Sequence, residues 1–173
     1  GYDTIIINQQ SNAQEANFIA ASSGFSDSTL VLIDISNPRP DSVWWDIPAA
    51  DSFELLARIY EIDPTTAKKR IHDLADLLAC RSQLYVQLRR LSLGERMKME
   101  LIASLLHEPK VLLLDEPTIG LDVVAQQTIQ RCLWEYNKKK QATILLTSHY
   151  MRDVEALCQR VLVITNGRLV HDG

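Results

Sequence analysis

The sequence predicts an α/β domain, a mostly parallel sheet with a helical subdomain inserted into it. Three observations carry this. Short apolar runs rich in Val, Ile, Leu and Thr alternate with segments of helical period, as parallel strands joined by helical crossovers do. One long stretch, 49–106, holds several helix starts and no convincing strand. The chain has 173 residues, enough for one domain with its own core when single domains cluster at about 100–150 residues.

The strand candidates, in order, are "DTIIIN" (3–8), "TLVLIDI" (29–35), "KVLLLD" (110–115), "ATILLTS" (142–148) and "RVLVITNGRLV" (160–170). Their short, unalternating apolar character is that of strands buried on both faces. The last folds back on itself, with Asn166-Gly167 supplying a type I′ turn. Between the first two lies "NQQSNAQEANFIAA", a helical segment that makes residues 1–43 a βαβ-like unit, and Gly24 in "SSGFSDS" marks a turn.

Helix starts come next. Asp51 with Glu54 forms a capping-box pattern before "LLARIY", and Asp63-Pro64 supplies an N-cap and first-turn proline before "TTAKKRIHDLADLLA". Ser92 and Glu95 in "LSLGERMKME" form a second box, with Met97, Leu101 and Leu105 on the buried stripe. After Leu121, the residues Ala125, Ile129, Cys132, Leu133 and Tyr136 share one helix face, which should lie on the sheet; Lys138–Lys140 close that helix, where the helix dipole favours cations.

Composition narrows the function. With 18 basic and 22 acidic residues the net charge is −4, which gives no field to gather a polyanion, so nucleic acid is not an expected partner. Cys80, Cys132 and Cys158 are odd in number and lack metal-ligand spacing, as reduced, partly buried thiols do. No apolar run reaches the roughly 18–20 residues needed to cross a bilayer, so if the protein works at a membrane, another chain spans it.

"VLLLDEPTIGLD" (111–122) ends an apolar strand in two adjacent acids. The C-terminal edge of an open α/β sheet is where ligands bind, and alternation along the strand sends Asp115 and Glu116 to different tasks. One carboxylate can face a phosphate-held metal and the other an attacking water. Ser92 stands 23 residues before Asp115, and His149 stands 34 residues after it at the end of another strand.

In order and spacing, Leu91-Ser92-Leu93-Gly94-Glu95, Val111 to Glu116, Gly120-Leu121-Asp122 and His149 resemble four motifs of the ATP-binding subunits of ABC transporters: the signature sequence, Walker B, the D-loop and the H-switch. The resemblance covers about residues 44–173, including "WWDIPAADSFELLARIYEI" (44–62), which is similar to the segment after the Q-loop in bacterial drug-export cassettes. It implies the ABC ATPase fold, a P-loop NTPase-like, mostly parallel sheet with an inserted helical subdomain. It also implies ATP and Mg2+ as ligands and export energised by ATP hydrolysis.

Carried over by position, Asp115 would hold the magnesium through water, Glu116 would polarise the attacking water and His149 would contact the γ-phosphate. Ser92, Leu93, Gly94 and Glu95 would face a nucleotide bound mainly by a second cassette, and Asp122 would link the two sites across that dimer. A membrane-spanning permease subunit completes the expected partners, placing the chain at the cytoplasmic face of a membrane.

The chain departs from the family pattern in three places. It contains no G-x-x-x-x-G-K-[ST] stretch, and its first lysine is Lys68, so the main phosphate cradle of the family is absent from this sequence. No glutamine stands near Arg39, where the Q-loop would fall; Pro38 and Pro40 stiffen that segment instead. The family also continues past the hairpin "NGRLVHDG" with a helical segment. The expected organisation is an incomplete cassette: 1–43 an N-terminal segment lacking a P-loop, 44–106 the helical subdomain with the signature, and 107–173 the core with Walker B, D-loop and H-switch. Such a chain is not expected to hydrolyse ATP alone. The alternative function is a nucleotide-incompetent module that lends its signature face to a complete cassette or regulates it. Trp44 and Trp45 either contact a membrane subunit or pack within the helical subdomain.

Overall fold

The computed structural model describes residues 4–8, 30–34, 45–165 and 168–173. The expected helix between the first two strands, Gly24, Pro38, Pro40, Trp44 and the Asn166-Gly167 turn lie outside the described residues. The chain divides into two compact units, one of residues 1–37, 109–119 and 133–173, the other of residues 38–108 and 120–132.

The first unit is built on one sheet. Strands β1 (Thr4–Asn8), β2 (Leu30–Asp34), β3 (Val111–Asp115), β4 (Thr143–Thr147), β5 (Arg160–Thr165) and β6 (Arg168–Asp172) run in the order β2-β3-β4-β1-β5-β6. All neighbours are parallel except β5 and β6, which form the antiparallel hairpin. Every apolar run picked out in the sequence is therefore a strand. Their order is not that of the chain: β3 and β4 lie between β2 and β1. Asp34, Asp115 and Thr147 stand level at the C-terminal ends of three adjacent strands.

Among the strands whose burial is described, burial on both faces holds only for β3. Val111 to Leu114 are all buried, β4 alternates, with Ile144 and Leu146 inside, and β6 is exposed throughout. The expectation fails at β6 because an edge strand has a neighbour on one side only; Arg160 and Asp172 instead close the hairpin with a two-pronged ion pair at 2.6 and 2.7 Å.

Helix α4 (Val123–Lys140) crosses from the second unit into the first. Ala125, Ile129, Cys132, Leu133 and Tyr136 are all buried, the stripe read from the sequence. Within the first unit Leu133 lines a small cavity with Ile144 and Leu146 of β4, and Tyr136 Oη donates to Pro109 O at 3.2 Å just ahead of β3. The short helix α5 (Met151–Leu157) connects β4 to β5.

The second unit is helical. It holds α1 (Ala49–Ile59), α2 (Pro64–Leu77), two 3₁₀ turns at Arg81–Tyr85 and Leu88–Arg90, α3 (Leu93–Leu105) and the start of α4. Its helices enclose Phe53, Leu78, Leu84, Met99, Ile102, Leu105 and Leu106, each less than 2% exposed. Burying a side chain of this size stabilises the fold by about 1.5–3 kcal/mol. Asp63 caps α2 as expected, its Oδ2 accepting from Thr66 N at 2.9 Å behind a first-turn Pro64. The Asp51–Glu54 box is corrected. α1 begins three residues earlier, after Pro48, with no side-chain cap, and Asp51 lies inside the first turn, where its charge still complements the helix dipole. Trp45 packs against Arg96, whose guanidinium carbon stands 4.6 Å from the ring centroid.

Candidate functional site

At the end of β3 the backbone leaves the strand abruptly. Asp115 is its last residue, and Glu116 adopts φ 47°, a left-handed conformation unfavourable for a side chain with a Cβ. Alternation along the strand is thus not what separates the two acids; the left-handed turn at Glu116 is. Among the described residues four other non-glycine residues have positive φ, Glu61, Ala79, Glu108 and Gln141, and each follows a helix, where such a residue closes the last turn. Glu116 alone among the five follows a strand. Strain of this kind persists where neighbours over-determine it.

The neighbour that does so is Thr147, the last residue of β4. Its Oγ1 donates to Asp115 Oδ1 at 2.5 Å and accepts from Glu116 N–H at 3.0 Å, while its carbonyl accepts the same N–H at 3.2 Å. Both acids are thereby tied to one residue of the adjacent strand. Glu116 Oε1 pairs with His149 Nδ1 at 2.8 Å, and the imidazole lies against the Tyr150 ring, centroids 4.3 Å apart. The other oxygen, Glu116 Oε2, is buried without a hydrogen-bond partner. The structure therefore brings Asp115, Glu116 and His149 together, as read from the sequence, and adds Thr147, which that reading missed. Its signal was its position, two residues before His149 at a strand end.

Ser92, Leu93, Gly94, Glu95 and Asp122 belong to the second unit. Ser92 caps α3 with a complete box: Ser92 N and Oγ each donate to Glu95 Oε2 at 2.8 Å, and Glu95 N donates to Ser92 Oγ at 3.3 Å. The Ser92 N–H holds the Glu95 carboxyl below the ordinary glutamate value, helped by the Ser92 hydroxyl and by Gln83, whose Nε2 donates to Oε1 at 3.1 Å. Gln83 is a second residue the sequence reading passed over, because nothing in its twelve-residue separation from Glu95 signals contact.

The start of α3 and the start of α4 meet within this unit. A Cβ on Gly94 would stand 3.2 Å from Ala125 Cβ, and one on Gly120, at φ 71°, would stand 3.4 Å from Leu93 Cδ2. Asp122 caps α4, its Oδ1 accepting from Ala125 N at 2.9 Å. Ser92 and Asp122 are both exposed, so this unit presents two capped helix starts side by side, one of them opening with N–H groups suited to an anion.

The profile of the family described as "AAA domain, putative AbiEii toxin, Type IV TA system" matches residues 5–151. The chain is 32% identical over 125 residues to the ABC transporter ATP-binding protein NatA of Bacillus subtilis, covering 72% of this chain and 50% of that protein. It is 33% identical over 139 residues to the Nod factor export ATP-binding protein I of Ralstonia nicotianae, covering 79% of this chain and 42% of that one. It is also 36% identical over 132 residues to the ABC-type organic anion transporter ABCA8B of Mus musculus, covering 76% of this chain and 8% of that protein. The chain thus spans half or less of the length of these relatives. In fold it is similar to cbiO1 of Clostridium perfringens, described as part of the ABC transporter complex cbiONQ, with TM-score 0.79, 19% identity and coverage of 99% of this chain and 76% of that one. An ATP-binding subunit of an ABC transporter superposes with TM-score 0.76 at 19% identity, covering 99% and 78%. By its match to the AAA domain family and to these relatives, the chain belongs to the nucleotide-binding domains of the ABC ATPases.

Proposed function

We propose that this chain is the signature-to-H-switch portion of an ATP-binding cassette, working with a second cassette and a membrane-spanning permease at the cytoplasmic face of a membrane to couple ATP hydrolysis to export. The observation that carries this is Glu116. It is turned out of the strand at φ 47°, bound through one oxygen to His149 and left with a buried, unpartnered Oε2. An orphaned carboxylate oxygen is an acceptor for a water that it would polarise, the general-base geometry phosphoryl transfer needs.

The residues fit a magnesium nucleotide. No three His, Cys, Asp or Glu side chains cluster as a metal cage among the described residues, which suits a magnesium held by phosphates and water with a single carboxylate, Asp115. Bound magnesium would neutralise phosphate charge. Glu116 would orient the water, and His149, held beside it, would reach the γ-phosphate. Ser92, Leu93, Gly94 and Glu95 would meet the nucleotide of the second cassette through the α3 N-terminus, with Asp122 beside them. No helix of the described residues is long and apolar enough to cross a membrane, which agrees with a separate permease.

The test is Glu116→Gln in a complete cassette containing this chain and a P-loop. ATP turnover should be lost while Mg-ATP binding persists, and undiminished turnover would remove Glu116 from the role of base. The second reading, a nucleotide-incompetent module, is favoured by the absence of a P-loop motif and of any lysine before Lys68. Titration of the isolated chain with Mg-ATP separates the two, because micromolar affinity contradicts the second.

A further inference from the structure

Asp153 is an acid for which the roles above have no use. It is 2% exposed, in the first turn of α5, yet the start of that helix has no side-chain cap. Its Oδ2 accepts instead from two hydroxyls outside the helix: Thr118 Oγ1 at 2.5 Å and Ser148 Oγ at 2.8 Å. Both donors are themselves 1% exposed. Ser148 Oγ in turn accepts from Tyr150 N–H at 3.1 Å.

A buried carboxylate is costly unless hydrogen-bonded, so the partners it keeps show what it holds. Thr118 is two residues beyond Glu116, and Ser148 is joined directly to His149. One oxygen therefore ties the segment after Glu116 to the segment before His149. The Tyr150 N–H closes the same loop around His149 from its other side. Thr147 ties the strand ends on the near side of the pair, and Asp153 supplies the tie on the far side.

We propose that Asp153 is a positioning residue for the Glu116–His149 pair, its carboxylate holding the two loops in the register that lets Glu116 Oε1 and His149 Nδ1 meet at 2.8 Å. This rests on the reading of that pair as the reacting end of the site, but its test needs no ATP turnover. Asp153 acts through the backbone of Thr118 and Ser148.

The experiment follows the Glu116–His149 hydrogen bond by NMR in the 173-residue chain, through the chemical shifts of the His149 ring nitrogens at one fixed pH. Glu116→Gln replaces the carboxylate oxygen facing Nδ1 and should shift the Nδ1 resonance in the otherwise unaltered chain. In an Asp153→Ala background the same Glu116→Gln change should shift it at least threefold less. In Asp153→Asn, which keeps an oxygen able to accept both hydroxyls, most of the shift should return. Ser148→Ala and Thr118→Val each remove one hydroxyl arm and should weaken the coupling, which keeps the question open to test if Asp153→Ala does not fold. An equal Glu116→Gln shift with and without Asp153, or a lowered melting temperature with the coupling intact, makes Asp153 a packing residue only and overturns the proposal. No Glu116→Gln shift in either background overturns it too, since there is then no pair to position. Turnover in the complete cassette decides the proposed function separately, whichever way the chemical shifts fall.

Discussion

Replacing Ser92 by alanine tests the capped start of α3 in isolation from any ligand. The change removes two of the three hydrogen bonds of the box, Ser92 Oγ to Glu95 Oε2 at 2.8 Å and Glu95 N to Ser92 Oγ at 3.3 Å, and leaves Ser92 N to Glu95 Oε2 at 2.8 Å. Ser92 is exposed, so water takes the place of the lost partners. The cost then falls in the range of an ordinary N-cap, about 1 kcal/mol, and not in the range of about 1–3 kcal/mol for an orphaned buried group. Because 1.4 kcal/mol is tenfold in an equilibrium constant, about 1 kcal/mol raises the opening of the helix start about fivefold. Hydrogen exchange at the Glu95 amide reads this locally, which matters in a chain of two units where global unfolding need not be two-state. Ser92→Gly should cost only a few tenths of a kcal/mol, and Ser92→Thr should restore protection. Exchange at Glu95 within twofold of the unaltered chain in Ser92→Ala would show that the box does not hold the helix start.

Four further outcomes are expected. Leu112→Ala, at a fully buried position of β3, should cost about 2–5 kcal/mol in urea unfolding, the range for truncating a core leucine. Gly120→Ala forces a Cβ onto φ 71° and should destabilise by about 1 kcal/mol, a left-handed strain that Asn at the same position should partly relieve. Ala79→Gly should do the reverse: Ala79 holds φ 48° after α2, so glycine there should gain a few tenths to about 1 kcal/mol in the same assay. Burial and the nearby Arg70 charge lower the His107 pKa below its ordinary 6.5, and its Nδ1 is unpartnered against the stacked Tyr60 ring. The unfolded chain then binds the extra proton, so this group's contribution is present above 6.5 and lost as pH falls from there toward the lowered value. His107→Gln should flatten that part of the urea-midpoint profile, while Glu95, whose pKa is lowered, loses its contribution only below its ordinary 4.5.

The candidate site was legible in the sequence to the extent that local chemistry carried it. Ser92 and Glu95 are three residues apart, and a capping box needs nothing more than that spacing. Asp115 and Glu116 follow a short apolar run that reads as a buried strand. What was not legible has long separations: Thr147 to Asp115, Asp153 to Thr118 and Gln83 to Glu95 are contacts between segments that the chain alone does not place together. The Asp51–Glu54 box misled because the same spacing fits inside a first turn as well as at its edge, and the helix took the earlier start at Ala49.

By itself the sequence determined the periodicities and the order of the motifs: five apolar runs, the α4 stripe from Ala125 to Tyr136, the capped start of α3 and the acids after β3. These depend on interactions within a few residues, which composition and spacing express directly. Tertiary structure alone decided the strand order β2-β3-β4-β1-β5-β6, which brings Thr147 beside Asp115, and the left-handed turn at Glu116. That turn is unfavourable for the residue on its own, and it stands because hydrogen bonds from the adjacent strand hold it. No local pattern could announce a conformation whose stability is supplied from 31 residues further along the chain.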